Sequence, residues 1–197
     1  MKNLFKFSLV LGVALVTMNV HASDVDFSLD VKKNQGRIIT FVFSETKKIN
    51  LSIYDAEGKI IHSETVDSQK NINRTYDLKD LPEGTYFLDA ETELKIATYK
   101  ISVVGATAVL SETPISEKYK PVYIEKEGLI KVNFLNVDES PTCIKIYDQE
   151  DNLVYDSGKL MDQYISKVFD IYNMRNEDYT IIVTDNNRAF TKTFASK

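Results

Sequence analysis

The chain overlays itself when shifted by 93 residues. Ile53-Tyr54-Asp55 falls on Ile146-Tyr147-Asp148, and Glu57 falls on Glu150. Tyr76-Asp77-Leu78 falls on Phe169-Asp170-Ile171, and Tyr86 on Tyr179. Phe41 meets Phe134, and Thr98 meets Thr191. One constant offset across most of the unit marks a duplicated structural unit rather than a chance likeness of short strands. Only the opening hairpin needs a one-residue slip, with Gly36 facing Gly128. Whatever folds the first unit must also fold the second.

Each unit reads as strands. Val25-Phe27-Leu29-Val31, Ile39-Phe41-Phe43 and Leu51-Ile53 alternate with other residues at period two, the pattern of a strand with one buried face. Further strands are expected near 59–66, 72–78, 85–90 and 95–103, separated by Asn34-Gln35-Gly36, Ala56-Glu57-Gly58 and Pro82-Glu83-Gly84. Seven short strands per unit and no helical pattern predict an all-β chain of two tandem immunoglobulin-like antiparallel β-sandwiches. An up-and-down barrel is the alternative, for which a unit of about 80 residues is small.

Tyr76 to Leu88 reads as a corner between strands. Leu78 and Leu81 anchor it, Pro82 presets its backbone, and Gly84 is available for a positive φ. Asp77 is placed to accept backbone N–H groups inside the turn, and Tyr86 and Leu88 point inward. The second unit keeps Asp170 and Tyr179 but has Arg175-Asn176-Glu177 in place of Pro-Glu-Gly. The repeated residues Tyr54, Asp55, Asp77, Gly84, Tyr86, Tyr147, Asp148, Asp170 and Tyr179 are therefore read as structural, with Gly84 specific to the first corner.

The N-terminus has the form of a secretory signal: Lys2 and Lys6, an apolar run over 7–16, and Val20-His21-Ala22 before a cut after Ala22. The apolar run is too short to span a membrane, which takes about 20 residues. The division expected is a signal peptide over 1–22, a sandwich over 23–104, a semi-rigid linker over 105–116 and a second sandwich over 117–197. The linker contains Val109, Leu110, Pro114 and Ile115 and should hold the sandwiches in contact. Removing the signal leaves 22 basic and 29 acidic residues, a charge of −7. That excludes nucleic acid, which demands a basic face. Cys143 is the single cysteine, so no internal disulfide staples the fold.

The stretches INLSIYDAEGKIIHSE, INRTYDLKDLPEGTYFL and ATYKISVV, within Ile49 to Val104, resemble the C-terminal sorting domain of proteins exported by the type IX secretion system of Bacteroidetes. Residues Thr142 to Phe194 resemble it more faintly. The resemblance implies an immunoglobulin-like sandwich and a secreted protein, with the motif serving fold and export rather than catalysis.

Residues able to do chemistry are few. After signal removal His62 is the sole histidine, on a strand, with Tyr155 as its counterpart. One histidine without a placed nucleophile makes no triad. Cys143 begins a strand with no helix N-terminus beside it and reads as a passive thiol, disulfide dimerisation being the alternative. Asp148, Glu150, Asp151 and Asn152 crowd one turn, and Asp55 and Glu57 another. Such oxygens suit calcium, but the spacing differs from the calcium loop and these are ordinary hairpin residues. Tyr119, Tyr123, Tyr164 and Tyr172 have no tyrosine at the matching first-unit position and are candidate surface binders.

No catalytic residue, metal or cofactor is expected, and the ligand-binding residues stay open. The reading is a secreted or periplasmic, non-enzymatic binding or adhesion module. Its partner would be a protein or carbohydrate at the cell envelope, with no transmembrane segment in the mature chain. The alternatives are an export-related role as a stand-alone relative of sorting domains and a carboxylate-based hydrolase.

Overall fold

The structure, a computed structural model, describes residues 27–44, 48–67, 71–170, 178–186 and 188–195. The expected signal peptide lies outside them, as does most of the second corner. Among the described residues there is no helix. The chain is all-β, built as two immunoglobulin-like antiparallel sandwiches.

In the first sandwich β1 (Ser28–Gln35), β2 (Ile38–Ser44), β3 (Lys48–Asp55), β4 (Ile60–Asp67), β5 (Ile72–Asp77), β6 (Gly84–Glu91) and β7 (Lys95–Val104) follow in order. One sheet runs β1-β2-β5, and the facing sheet contains β4-β3-β6-β7. Two short strands come next, β8 (Thr107–Leu110) and β9 (Ser116–Tyr119). The second sandwich contains β10 (Val122–Lys126), β11 (Leu129–Leu135), β12 (Thr142–Tyr147), β13 (Leu153–Asp156), β14 (Tyr164–Asp170), β15 (Tyr179–Asp185) and β16 (Arg188–Phe194). Its sheets run β10-β11-β14 and β13-β12-β15-β16, the strand order of the first sandwich.

Period-two patterning builds both cores. Ile39, Phe41 and Phe43 of β2 are fully buried while their neighbours are half-exposed. Ile130, Val132 and Phe134 of β11 do the same in the second sandwich. The result is two separate apolar clusters, one drawn from Phe27 to Leu110 and one from Ile130 to Phe194.

The first corner closes as its residues suggest. The Tyr86 hydroxyl donates to the Pro82 carbonyl at 2.8 Å, the tyrosine-corner bond of such sandwiches. Asp77 Oδ1 accepts the Lys79 N–H at 3.1 Å. The Arg37 guanidinium donates to the Leu81 and Lys79 carbonyls at 2.7 and 3.2 Å, pinning the loop from beneath. Gly84 does not take the positive φ expected of it; the left-handed glycines include Gly36 and Gly58 instead. A Cβ at Gly84 would meet Tyr86 at an ordinary 3.9 Å, so the first corner does not itself require a glycine there.

Residues 105–116 are more than a join. β8 pairs antiparallel with the second half of β7, from Ile101↔Leu110 to Val104↔Thr107. β9, placed by sequence in the second sandwich, pairs with the first half, from Lys95↔Tyr119 to Thr98↔Ser116. Between them Ser111 Oγ accepts the Lys100 N–H at 3.0 Å, and the Ser111 N–H donates to the Lys100 carbonyl at 2.9 Å. The physical reason is the edge of β7, whose N–H and C=O groups would otherwise lack partners. Ala108 and Leu110 are buried in the first core. Leu110→Ala should therefore destabilise the first sandwich by about 3 kcal/mol, the cost of a buried leucine, as read by chemical denaturation. A linker residue would cost under about 0.5 kcal/mol.

Candidate functional site

His62 sits on edge strand β4 and serves packing. Its ring meets Tyr76 of the opposite sheet edge, with centroids 5.3 Å apart. Glu64 accepts the Tyr76 hydroxyl at 2.6 Å and the Arg74 Nε–H at 3.1 Å. This group laces β4 to β5 across the open side of the sandwich. The repeat places Tyr155 and Phe169 at the positions of His62 and Tyr76, and they meet at 5.0 Å. Burial and then the Glu64 hydrogen bond push the Tyr76 hydroxyl well above its ordinary value. For Glu64 burial acts upward, but the Tyr76 bond and the Arg74 charge outweigh it and hold the carboxyl low.

The acidic turns are spent on their own backbone. Asp55 Oδ1 accepts the N–H groups of Glu57 and Lys59 at 3.1 and 2.8 Å. Asp148 Oδ1 accepts those of Glu150 and Asn152 at the same two distances. Gly58 takes a left-handed φ of 84°, and Asp151, at the equivalent place, takes 61°. Asp tolerates that conformation because its short side chain bonds locally. Among the described residues no three His, Cys, Asp or Glu are grouped to hold a metal ion. Cys143 is half-buried, with Sγ 3.3 Å from Asp156 Oδ1. Burial and that carboxylate raise its pKa, the reverse of what a nucleophilic thiolate needs.

The tyrosines divide by position. Tyr86 and Tyr179 are buried in their cores. Tyr147 lies on β12, half-buried, opposite Thr180. Of the surface candidates among the described residues, Tyr164 is the exposed one, at 60%. Tyr123 turns inward against the second core, and its hydroxyl is buried without a hydrogen-bond partner; burial pushes its pKa up to about 12. Tyr119 is half-buried on β9, and Tyr172 lies outside the described residues. Asp170 ends β14, exposed.

One constellation was missed by sequence reasoning: the joint between the sandwiches. Lys118 of β9 reaches into the second sandwich, with Nζ 3.0 Å from Asp185 Oδ2 and 2.9 Å from Asp138 Oδ2. Asp185 is 2% exposed and also accepts the Ser140 hydroxyl. Burial acts to lower the Lys118 pKa, but the hydrogen bonds and charges of the two aspartates win and raise it. In the other direction Arg188 donates to Asp89 Oδ2 at 2.9 Å. Asp89 Oδ1 in turn accepts the Tyr54 hydroxyl at 3.0 Å and the Thr98 hydroxyl at 2.5 Å. Burial, and then Asp89, push Tyr54 up to about 12. Departures from the repeat carried the signal: Asp185 stands where the first unit has Thr92, and Asp89 where the second has Ile182.

These groups face one another as ion pairs, and the hydroxyls beside them are hydrogen-bonded to Asp185 and Asp89. Lys118→Met would leave Asp185 buried without its cation and should cost about 3 kcal/mol, measured by denaturation. Adding Asp185→Asn to that variant should restore most of the loss.

The family model described as a secretion system C-terminal sorting domain matches residues 18–104. The sequence resemblance holds for the first sandwich. The match spans less than half of the chain, and residues 105–197 lie beyond it. Among solved structures, a biofilm associated protein, BSP domain, shares 14% identity with a TM-score of 0.28, over 85% of this chain and 29% of that one. The chain thus spans under a third of that structure's length, and the likeness is too slight to define fold or function. No curated protein matches the chain.

Proposed function

We propose that the chain is a secreted, non-enzymatic binding module of the cell envelope, with a signal peptide removed after Ala22. The sorting-domain match over residues 18–104 is the observation that carries this reading. The chemistry agrees with it. His62, Cys143 and the acidic turns are each engaged in packing or turn bonds. The division proposed is two modules. The first extends through β9, since β8 and β9 complete its sheet, and the second begins at β10. No helix among the described residues is long and apolar enough to cross a membrane.

The sorting-domain match also favours a second reading, in which the first sandwich serves export itself. Protease shaving of intact cells, followed by fractionation, separates the two. A chain exported to the surface should be cleaved on intact cells or found in the medium, whereas a binding module of the envelope is also compatible with the periplasm. Full retention in the cytoplasm would overturn both readings, and retention in the periplasm would overturn export to the surface.

A further inference from the structure

The two sandwiches share one strand order, so each is a control for what the fold itself requires. Their three-stranded sheets turn outward faces of different character. In the first, Asp30, Lys32 and Asn73 are exposed, and Thr40 bonds Thr75 across the strands at 3.0 Å. Ile38 and Val42 add only half-buried apolar surface. In the second, Val122 and Ile124 stand at the places of Asp30 and Lys32, and Val168 at that of Thr75. Val122, Ile124 and Val168 are 43%, 49% and 57% exposed, and Leu135 and Tyr164 extend the patch as a cross-strand pair. Since the first sandwich folds with a polar face here, folding does not explain the apolar one.

The centre of the patch is charged. Lys131 of the middle strand lies directly between Ile124 and Val168 in the sheet register. It is exposed, and no carboxylate among the described residues pairs with it. Asn133 beside it holds the Tyr164 and Ser166 hydroxyls at 3.0 and 2.9 Å, which fixes the aromatic ring in place.

We propose that this face docks a partner protein through a segment that presents apolar side chains around a carboxylate. An apolar rim that excludes water strengthens a central ion pair and penalises a partner lacking the opposite charge. A wholly apolar partner would bury the Lys131 ammonium unpaired, at high cost. A glycan is less suited, because sugar rings stack on aromatic faces and the patch is aliphatic but for Tyr164. A second copy placed face to face would bring two Lys131 side chains together, and like charges repel across an interface. The proposal rests on the binding reading above and names its site and partner class.

The probe is a random peptide library displayed on phage, selected on residues 23–197. Enriched peptides should carry Asp or Glu flanked by apolar residues. Their binding should fall about tenfold or more on Lys131→Glu and on Val168→Thr, the loss expected on removing a central contact. Val168→Thr installs the residue of the first sandwich, so the fold should hold; an unchanged melting midpoint in both variants checks this. No enrichment, or peptides indifferent to both variants, would overturn the proposal. So would Lys131-dependent binding of polygalacturonate in place of peptides, or self-association abolished by Val168→Thr. A chain found at the cell surface yet failing these tests would lose the docking face and keep the proposed function.

Discussion

The outer edge of β7 is the constraint on which the arrangement depends. A strand of this length at a sheet edge exposes a row of backbone donors and acceptors and invites association with another chain. Here the chain's own continuation covers it. β8 takes one half, Ser111 bridges the middle, and β9 takes the other half. Because these residues lie between the two sandwiches, covering the edge also fixes where the second sandwich starts. β10 begins at Val122, directly after β9 ends at Tyr119. After that short step Arg188 of the second sandwich bonds Asp89 on the outward face of the first large sheet, beside Thr98.

The contact so made is polar at its centre. Lys118, Asp138 and Asp185 form one fastening, and Arg188 with Asp89 forms the other. These pairs range from Asp185 at 2% exposed to Asp138 at 54%; such pairs contribute little net stability, and losing a partner is costly only at the buried Asp185. They are therefore suited to holding one relative orientation. Each sandwich keeps its own apolar core, and the joint sets how the two are presented.

Much of this was legible in the sequence. The offset of 93 residues identified a duplicated unit, and period-two alternation in segments such as Ile39-Thr40-Phe41-Val42-Phe43 identified strands with one buried face. Tyr86 and Asp77 marked the corner because their bonds are local. Three things were not legible. Gly84 looked like a source of positive φ, but Pro82 and the Tyr86 bond shape the corner without it. Residues 105–116 looked like a linker and 117–119 like the start of the second sandwich because β8 and β9 are only four residues each, too short for periodicity to declare a strand. The outward face of the β10-β11-β14 sheet was visible only in part, through Tyr164, since alternation does not say which exposed positions gather on one surface. Comparison of the two copies supplies what periodicity cannot: residues that match serve the fold, and residues that depart mark the joint and the apolar face.

Hydrogen exchange of the Ile115 and Lys120 amides reports whether β9 closes the edge of the first sandwich. These N–H groups donate to the Thr98 and Leu94 carbonyls at 2.8 and 2.7 Å, at the two ends of β9. If β9 is a strand of the first sandwich, both amides should exchange as slowly as neighbouring amides of β7, through the same cooperative opening. Exchange at the rate of an open chain, with β7 still protected on its β6 side, would show that β9 is a tether and that the two sandwiches are not fastened as described.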